Sequence, residues 1–193
     1  MTVFTPVTHE EMVAGVLSLA AALRDGPWRP THLIGIGRGG LAPAVYLSHA
    51  SGVPMLSVDF SGQVADFAAG ALVRLAAMAR AGERLLFLDD INDSGRTIGA
   101  LRRALAGNGA PAGSVRFATL IDNVSSAERV DYAARVIDRA VDKDWFVFPW
   151  EALAPKTALE EDASEVPDRL GKAGKERTGE TKQKAAGSSS ASP

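Results

Sequence analysis

Leu85 to Thr97 reads LLFLDDINDSGRT, and this stretch sets the fold. Four apolar residues in a row, Leu85-Leu86-Phe87-Leu88, are the most strongly apolar short run of the chain and read as a strand buried on both faces. The run delivers two adjacent carboxylates, Asp89 and Asp90, into a polar loop, and Thr97 then opens a helical pattern that lasts to Gly107. Other segments repeat this alternation. Thr8-His9-Glu10-Glu11 forms a capping box, followed by Met12, Val16, Leu19 and Leu23 at helical spacing. His32–Ile36 is a short buried strand, Ala42–Ser51 a helix closed by Gly52, and Met55–Asp59 a strand. Val64–Ala81 is helical, Val115–Ile121 a strand, and Arg135–Val141 and Phe146–Phe148 shorter strands. Strands separated by helices imply an α/β fold with a mainly parallel, twisted sheet covered by helices on both faces. In such sheets ligands lie at the carboxyl ends of the strands. The two glycine-bearing polar loops, one after Ile36 and one after Leu88, lie at those ends.

The 193 residues suffice for one well-buried domain. There is no cysteine, which excludes disulfides, thiolate metal sites and cysteine nucleophiles. No lysine precedes Lys143, so a phosphate-loop lysine or a lysine base in the first three quarters is excluded as well. A net charge of −2 gives no basic face for nucleic acid. No apolar run is long enough for a membrane span, and the N-terminus lacks a secretory pattern, so a soluble cytoplasmic protein is expected. After Glu151 the composition changes. Residues 152–193 hold no aromatic residue and end in AAGSSSASP, which reads as a disordered tail with room for a short helix around Leu159. The domain expected to carry the function is thus 1–151.

The loop after Leu88 also suggests its chemistry. Asp93-Ser94-Gly95-Arg96-Thr97 offers backbone N–H groups, two hydroxyls and a helix N-terminus, which suit a phosphate monoester. Gly95 permits the positive φ or close approach that such a turn requires. Asp89 and Asp90 are costly at the end of an apolar strand without partners. Sugar hydroxyls, or a hydrated magnesium ion bridging to them, would supply those partners.

The stretch LLFLDDINDSGRT resembles the fingerprint of the type I phosphoribosyltransferases: four apolar residues, two acidic residues, two variable positions, then Asp-Thr/Ser-Gly-x-Thr. HLIGIGRGGLAPAVYLSHASGVPM is similar to that family's pyrophosphate loop, with Gly37, Arg38, Gly39 and Gly40 facing the pyrophosphate. Asp144–Glu151 is similar to the closing segment of bacterial xanthine and hypoxanthine–guanine phosphoribosyltransferases, where an aromatic residue stacks on the purine and the next residue's backbone reads its edge; here these are Trp145 and Phe146. The resemblance implies a small hood beside the main sheet and transfer of the 5-phosphoribosyl group from 5-phosphoribosyl 1-pyrophosphate to a nucleobase. It implies Mg²⁺ as cofactor, Asp89 and Asp90 on the ribose hydroxyls and, indirectly, the metal, and Asp93 as the acid/base at the purine N7. The 5′-phosphate falls to Asp93, Ser94, Gly95, Arg96 and Thr97, and a homodimer or homotetramer is implied. One departure concerns the base: where purine enzymes of this family carry a lysine for the 6-oxo group, this chain has Asn123, after Asp122. A 6-oxopurine remains the leading acceptor, beside a pyrimidine or unusual base and beside a non-catalytic sensor of the same ligands. The family's mobile loop over the pyrophosphate maps to Phe60–Ala81, where Arg74 and Arg80 read as solvated charges.

Overall fold

The computed structural model describes residues 3–59 and 65–165. In chain order the elements are β1 (Phe4–Pro6), α1 (His9–Asp25), β2 (His32–Ile36), α2 (Gly37–Ser51), β3 (Met55–Val58), α3 (Ala65–Arg80), β4 (Leu85–Asn92), α4 (Arg96–Gly107), β5 (Val115–Asn123), β6 (Tyr132–Ile137), β7 (Trp145–Val147), a 3₁₀ turn (Pro149–Glu151) and α5 (Lys156–Glu165). The main sheet runs in the order β3-β2-β4-β5-β6, parallel throughout. A second, two-stranded sheet pairs β1 with β7, also parallel.

The pleat of β4 explains the two-sided core. Leu86 and Leu88 point to one face, where they meet Val16, Leu19 and Leu23 of α1 and Ala44 and Leu47 of α2. Leu85 and Phe87 point to the other, against Leu72, Leu75 and Ala76 of α3 and Leu101 and Leu105 of α4. Every residue of Leu85–Leu88 is fully buried. The first helix starts where its capping box sets it: the Glu11 N–H donates to the Thr8 hydroxyl at 3.1 Å, and the Thr8 N–H to Glu11 Oε2 at 2.8 Å.

Several boundaries differ from the sequence reading. The pattern over 64–81 is met by α3 from Ala65, with Leu72, Leu75, Ala76 and Ala79 in the core. A mobile loop over 60–81 is therefore replaced by a core helix from Ala65 onward, while residues 60–64 lie outside the described residues. Arg80 is not simply solvated, because its guanidinium donates to the Asn108 carbonyl beyond α4. Strand β6 begins at Tyr132 and ends at Ile137, since Asp138 starts a turn that accepts the N–H groups of Val141 at 2.9 Å and Asp142 at 2.7 Å. Val141 is 84% exposed, an apolar residue outside any strand. Strand β1 is too short to leave a pattern. Beyond Glu151, α5 supplies the short helix expected around Leu159, and the disorder expected further on falls at 166–193, outside the described residues.

Candidate active site

Two helix N-termini meet beside the carboxyl end of β4. Gly-Arg-Gly-Gly is the first turn of α2 rather than a free loop: Ile36 is extended, Gly37 sits at φ +51°, and no side chain caps the turn. Its N–H groups are left for a ligand. The close fit beneath the turn requires glycine. A Cβ on Gly40 would overlap the Leu88 carbonyl oxygen, and one on Gly39 would stand 2.7 Å from Asp90 Cγ. Helix α4 begins in the same way. Gly95 lies at φ +83°, packed on the Glu128 backbone and Ser126 Oγ, and again no side chain caps the helix. Two uncapped N-termini carry partial positive charge and suit two phosphate groups.

Between them, Asp89 and Asp90 are still within β4. The Asp90 N–H donates to Asp89 Oδ1 at 3.1 Å and the Ile91 N–H to Asp90 Oδ1 at 2.7 Å. Burial, then the Asp90 charge, raises Asp89 well above the usual carboxylate range. Burial, then the Glu151 charge, pushes Asp90 up to about 7. Among the described residues neither carboxylate is in an ion pair, and no cluster of three metal-ligating side chains exists. Two half-buried carboxylates without a cation fit a magnesium ion held through substrate hydroxyls or water, and they do not form a complete metal cage by themselves.

Gly37, Arg38, Gly39, Asp89, Asp90 and Thr97 line one cavity of about 1010 Å³. Trp150, Glu151, Ala158, Leu159 and Asp162 close its other side, so α5 is part of the wall. The sequence reading assigned none of these last residues a role. Glu151 sat inside a quoted segment, but its approach to Asp90 and Arg38 depends on the turn at Pro149. Gly40 lies beneath the cavity, against β4. Ser94 and Arg96 are exposed and do not line it, with Ser94 Oγ 3.4 Å from both the N–H and the Nε of Arg96.

The base-side residues come together through a residue that no motif pointed to. Arg139 Nε donates to Asp93 Oδ1 at 3.0 Å and Nη2 to Asp93 Oδ2 at 3.2 Å. Asn123 differs from the role expected of it. Its Nδ2 donates to the Asp93 carbonyl at 2.9 Å, and its Oδ1 accepts the N–H groups of Ser125 at 3.1 Å and Arg139 at 3.2 Å. Only 5% exposed, Asn123 braces the loop instead of presenting its amide as the lysine would have presented an ammonium. Asp122 turns inward too, accepting from Asn92 Nδ2 at 2.7 Å. Phe146 is buried, with the guanidinium carbons of Arg135 and Arg139 each 5.1 Å from its ring centre, which leaves its backbone as the part available to a ligand. Trp145 is half-buried on β7, and its N–H donates to the Val3 carbonyl at 2.7 Å.

A parallel α/β sheet with two uncapped helix starts and an acidic pair at its carboxyl edge has the form of a doubly wound fold with a site suited to phosphate groups. The profile of the phosphoribosyl transferase domain matches residues 7–154, and the chain belongs to that family, whose members are pentosyltransferases. It is 26% identical over 154 residues to a xanthine-guanine phosphoribosyltransferase of Gluconobacter oxydans, an alignment covering 77% of this chain and 84% of that one. Among solved structures it is similar to a purine phosphoribosyltransferase from Pyrococcus horikoshii, with TM-score 0.56, 24% identity, and coverage of 76% of this chain and 93% of that chain. It is also similar to a xanthine-guanine-hypoxanthine phosphoribosyltransferase from Helicobacter pylori, with TM-score 0.58, 18% identity, and coverage of 83% and 99%. Both solved structures share the fold. Among the described residues no helix is long and apolar enough to cross a membrane.

Proposed function

We propose that the chain transfers the 5-phosphoribosyl group from 5-phosphoribosyl 1-pyrophosphate to a 6-oxopurine (hypoxanthine, guanine or xanthine), releasing pyrophosphate and forming a nucleoside monophosphate. The observation that carries this reading is the single cavity that joins the α2 turn, the Asp89-Asp90 pair and the start of α4. In it, Gly37, Gly39 and Arg38 bind the pyrophosphate, with Gly40 setting their depth, and Asp89 and Asp90 hold the ribose hydroxyls. Ser94, Gly95, Arg96 and Thr97 bind the 5′-phosphate through backbone N–H groups and hydroxyls. Bound Mg²⁺ would neutralise charge on the leaving pyrophosphate. The bond from the sugar carbon to pyrophosphate breaks, the bond to a ring nitrogen forms, and the proton of the base passes to Asp93. Trp145 stacks on the base, the Phe146 backbone meets its edge, and Asn123 holds the Asp93 loop from behind. The Gluconobacter relative, named for xanthine and guanine, supports a purine acceptor. We further propose a homodimer or homotetramer working in the cytoplasm, tested by light scattering of the purified protein.

The decisive assay incubates the protein with 5-phosphoribosyl 1-pyrophosphate, Mg²⁺ and a panel of purines and pyrimidines. Pyrophosphate release with at least one 6-oxopurine is expected. Release only with a pyrimidine would reassign the acceptor, and no release with any base would remove the activity. Asp93→Asn should lower turnover about 10²-fold or more, the usual share of a positioned acid/base, while the pyrophosphate donor still binds.

A further inference from the structure

Arg139 belongs to no motif and to no step described above, yet it is the one cation among the described residues that is buried, at 7% exposure. A buried guanidinium is tolerated only where its donors are answered. Here four N–H groups have acceptors. Nε and Nη2 form a fork on the two oxygens of Asp93, and Nη1 donates to the main-chain carbonyls of Asp142 at 3.3 Å and Asp144 at 2.5 Å. The pair is also oriented. The Arg139 side chain is 8% exposed and that of Asp93 19%, so the guanidinium lies behind and the carboxylate in front. A carboxylate offers about four lone-pair directions. The fork takes two of them from the inner side.

The same residue reaches the other half of the base site. Asp144, whose carbonyl it holds, immediately precedes Trp145, and its guanidinium lies against the Phe146 ring. Its own main-chain N–H is held by Asn123, which also holds the Asp93 carbonyl. Asp93 and the 144–146 segment are thus fixed to each other by one side chain, although they lie on different loops. A lysine could not do this, because an ammonium is a point charge without the planar fork.

We infer that Arg139 is the positioning residue of the base site: from behind, it fixes the Asp93 carboxylate and the segment carrying Trp145 in one register, so that proton acceptor and stacking ring meet the same base. The inference rests on the role proposed above for Asp93. It places a cation in the base site of a chain that has no lysine before Lys143, but one that acts through a carboxylate and a carbonyl.

The test is a double-mutant cycle on the full chain with Arg139→Gln, Arg139→Lys and Asp93→Asn, measuring kcat and both KM values with 5-phosphoribosyl 1-pyrophosphate and the best base of the panel. Arg139→Gln should lower kcat about 10²-fold, as misplacement of a catalytic group by an ångström does. It should raise the KM for the base and leave that for 5-phosphoribosyl 1-pyrophosphate within about twofold, since the hydrogen bonds of Arg139 stop at the Asp93 carboxylate and reach none of Ser94, Gly95, Arg96 and Thr97. In the Asp93→Asn background the same change should add no more than about threefold, because the residues act as a unit. Arg139→Lys, which keeps the charge and loses the fork, should still lose about tenfold in kcat. Should Arg139→Gln fail to give a cooperative thermal transition, Arg139→Lys carries the test, and a kcat at or above half of wild type overturns the inference. Penalties that multiply in the double variant, or a parallel rise in both KM values, mean a purely structural pair and overturn it too. A wild-type protein inert with every base removes the proposed function and this inference together. An active wild type with an unaffected Arg139→Gln removes the inference alone.

Discussion

Replacing Gly40 by alanine separates a backbone-level fit from a merely flexible loop. An alanine Cβ there would stand 2.9 Å from the Leu88 carbonyl carbon and 3.2 Å from Asp89 Cα, and would overlap the Leu88 oxygen. Carbon pairs settle at about 3.5–4.0 Å, so the start of α2 must retreat from β4 by roughly half to one ångström. The obstacle is strand backbone, which cannot rotate away. Overpacking of this kind costs about 1–3 kcal/mol. The retreat also loosens Ala44 and Leu47, both fully buried against the sheet, and a gap of that width forfeits about a quarter to a half of each contact. Alanine's helix propensity returns at most about 1 kcal/mol. A net loss of about 2–3 kcal/mol is expected, or about 5–10 °C in Tm at the usual 2–4 °C per kcal/mol for a chain of this size. Gly70→Ala, on an exposed part of α3 with nothing within 4 Å of the added Cβ, is the control and should leave Tm level or slightly raised. Circular dichroism melts of the three proteins, with titration of 5-phosphoribosyl 1-pyrophosphate, decide it. If Gly40→Ala melts within about 2 °C of wild type and binds the donor unchanged, the close seating of α2 on β4 is wrong.

Through Asp90, stability without ligand should fall as pH rises from about 4 to about 7. Burial and the Glu151 charge raise Asp90 from its ordinary 3.8 to about 7, so the folded state keeps a proton that the unfolded chain has released over that window. Urea melts in Mg²⁺-free buffer should show Asp90→Asn flattening that fall, and an unchanged slope would mean that Asp90 does not cause it. Thr8→Ala removes one arm of the capping box and should cost about 1 kcal/mol, seen as a Tm loss of about 2–4 °C with unaltered donor binding. Asn123→Ala leaves the Ser125 and Arg139 N–H groups without their acceptor and should lower stability by about 2 kcal/mol. It should also raise the KM for the base, whereas a variant as stable and active as wild type would show that Asn123 braces nothing.

The phosphate side of the site was legible because local chain geometry builds it. A buried strand, an acidic pair and a glycine-bearing helix start fit within the segment from Leu85 to Thr97, and a second strand–helix junction repeats the design at Ile36 and Gly37. The fold followed from the same alternation. What escaped the reading depends on contacts between distant segments. Arg139 is indistinguishable in sequence from a surface arginine until β5, β6 and the Asp93 loop bring it against its partners. Asn123 looked like a substitute for a ligand-reading residue, because the sequence gives no sign that its amide is already engaged by two loops. Val141 drew the strand too far, since apolarity alone cannot register the turn imposed by Asp138. The cavity wall from Leu153 to Asp162 escaped because its composition is that of a tail.

The small β1–β7 sheet has a consequence for how the protein acquires its shape. Strand β7 is held by the start of the chain: Trp145 donates to the Val3 carbonyl, Thr5 Oγ1 donates to Asp144 Oδ2 at 2.5 Å, and Val7 donates to the Val147 carbonyl at 2.8 Å. These contacts close a loop of nearly the whole domain, and long loops close late because their entropy must be lost before any contact forms. The phosphate-binding junctions, by contrast, join neighbouring segments. A nascent chain therefore organises its phosphate cradle well before it can hold Trp145 in place. Amide protection should appear in β2 and β4 before β1 during refolding, and trimming the first seven residues would release the base segment while leaving the phosphate cradle standing.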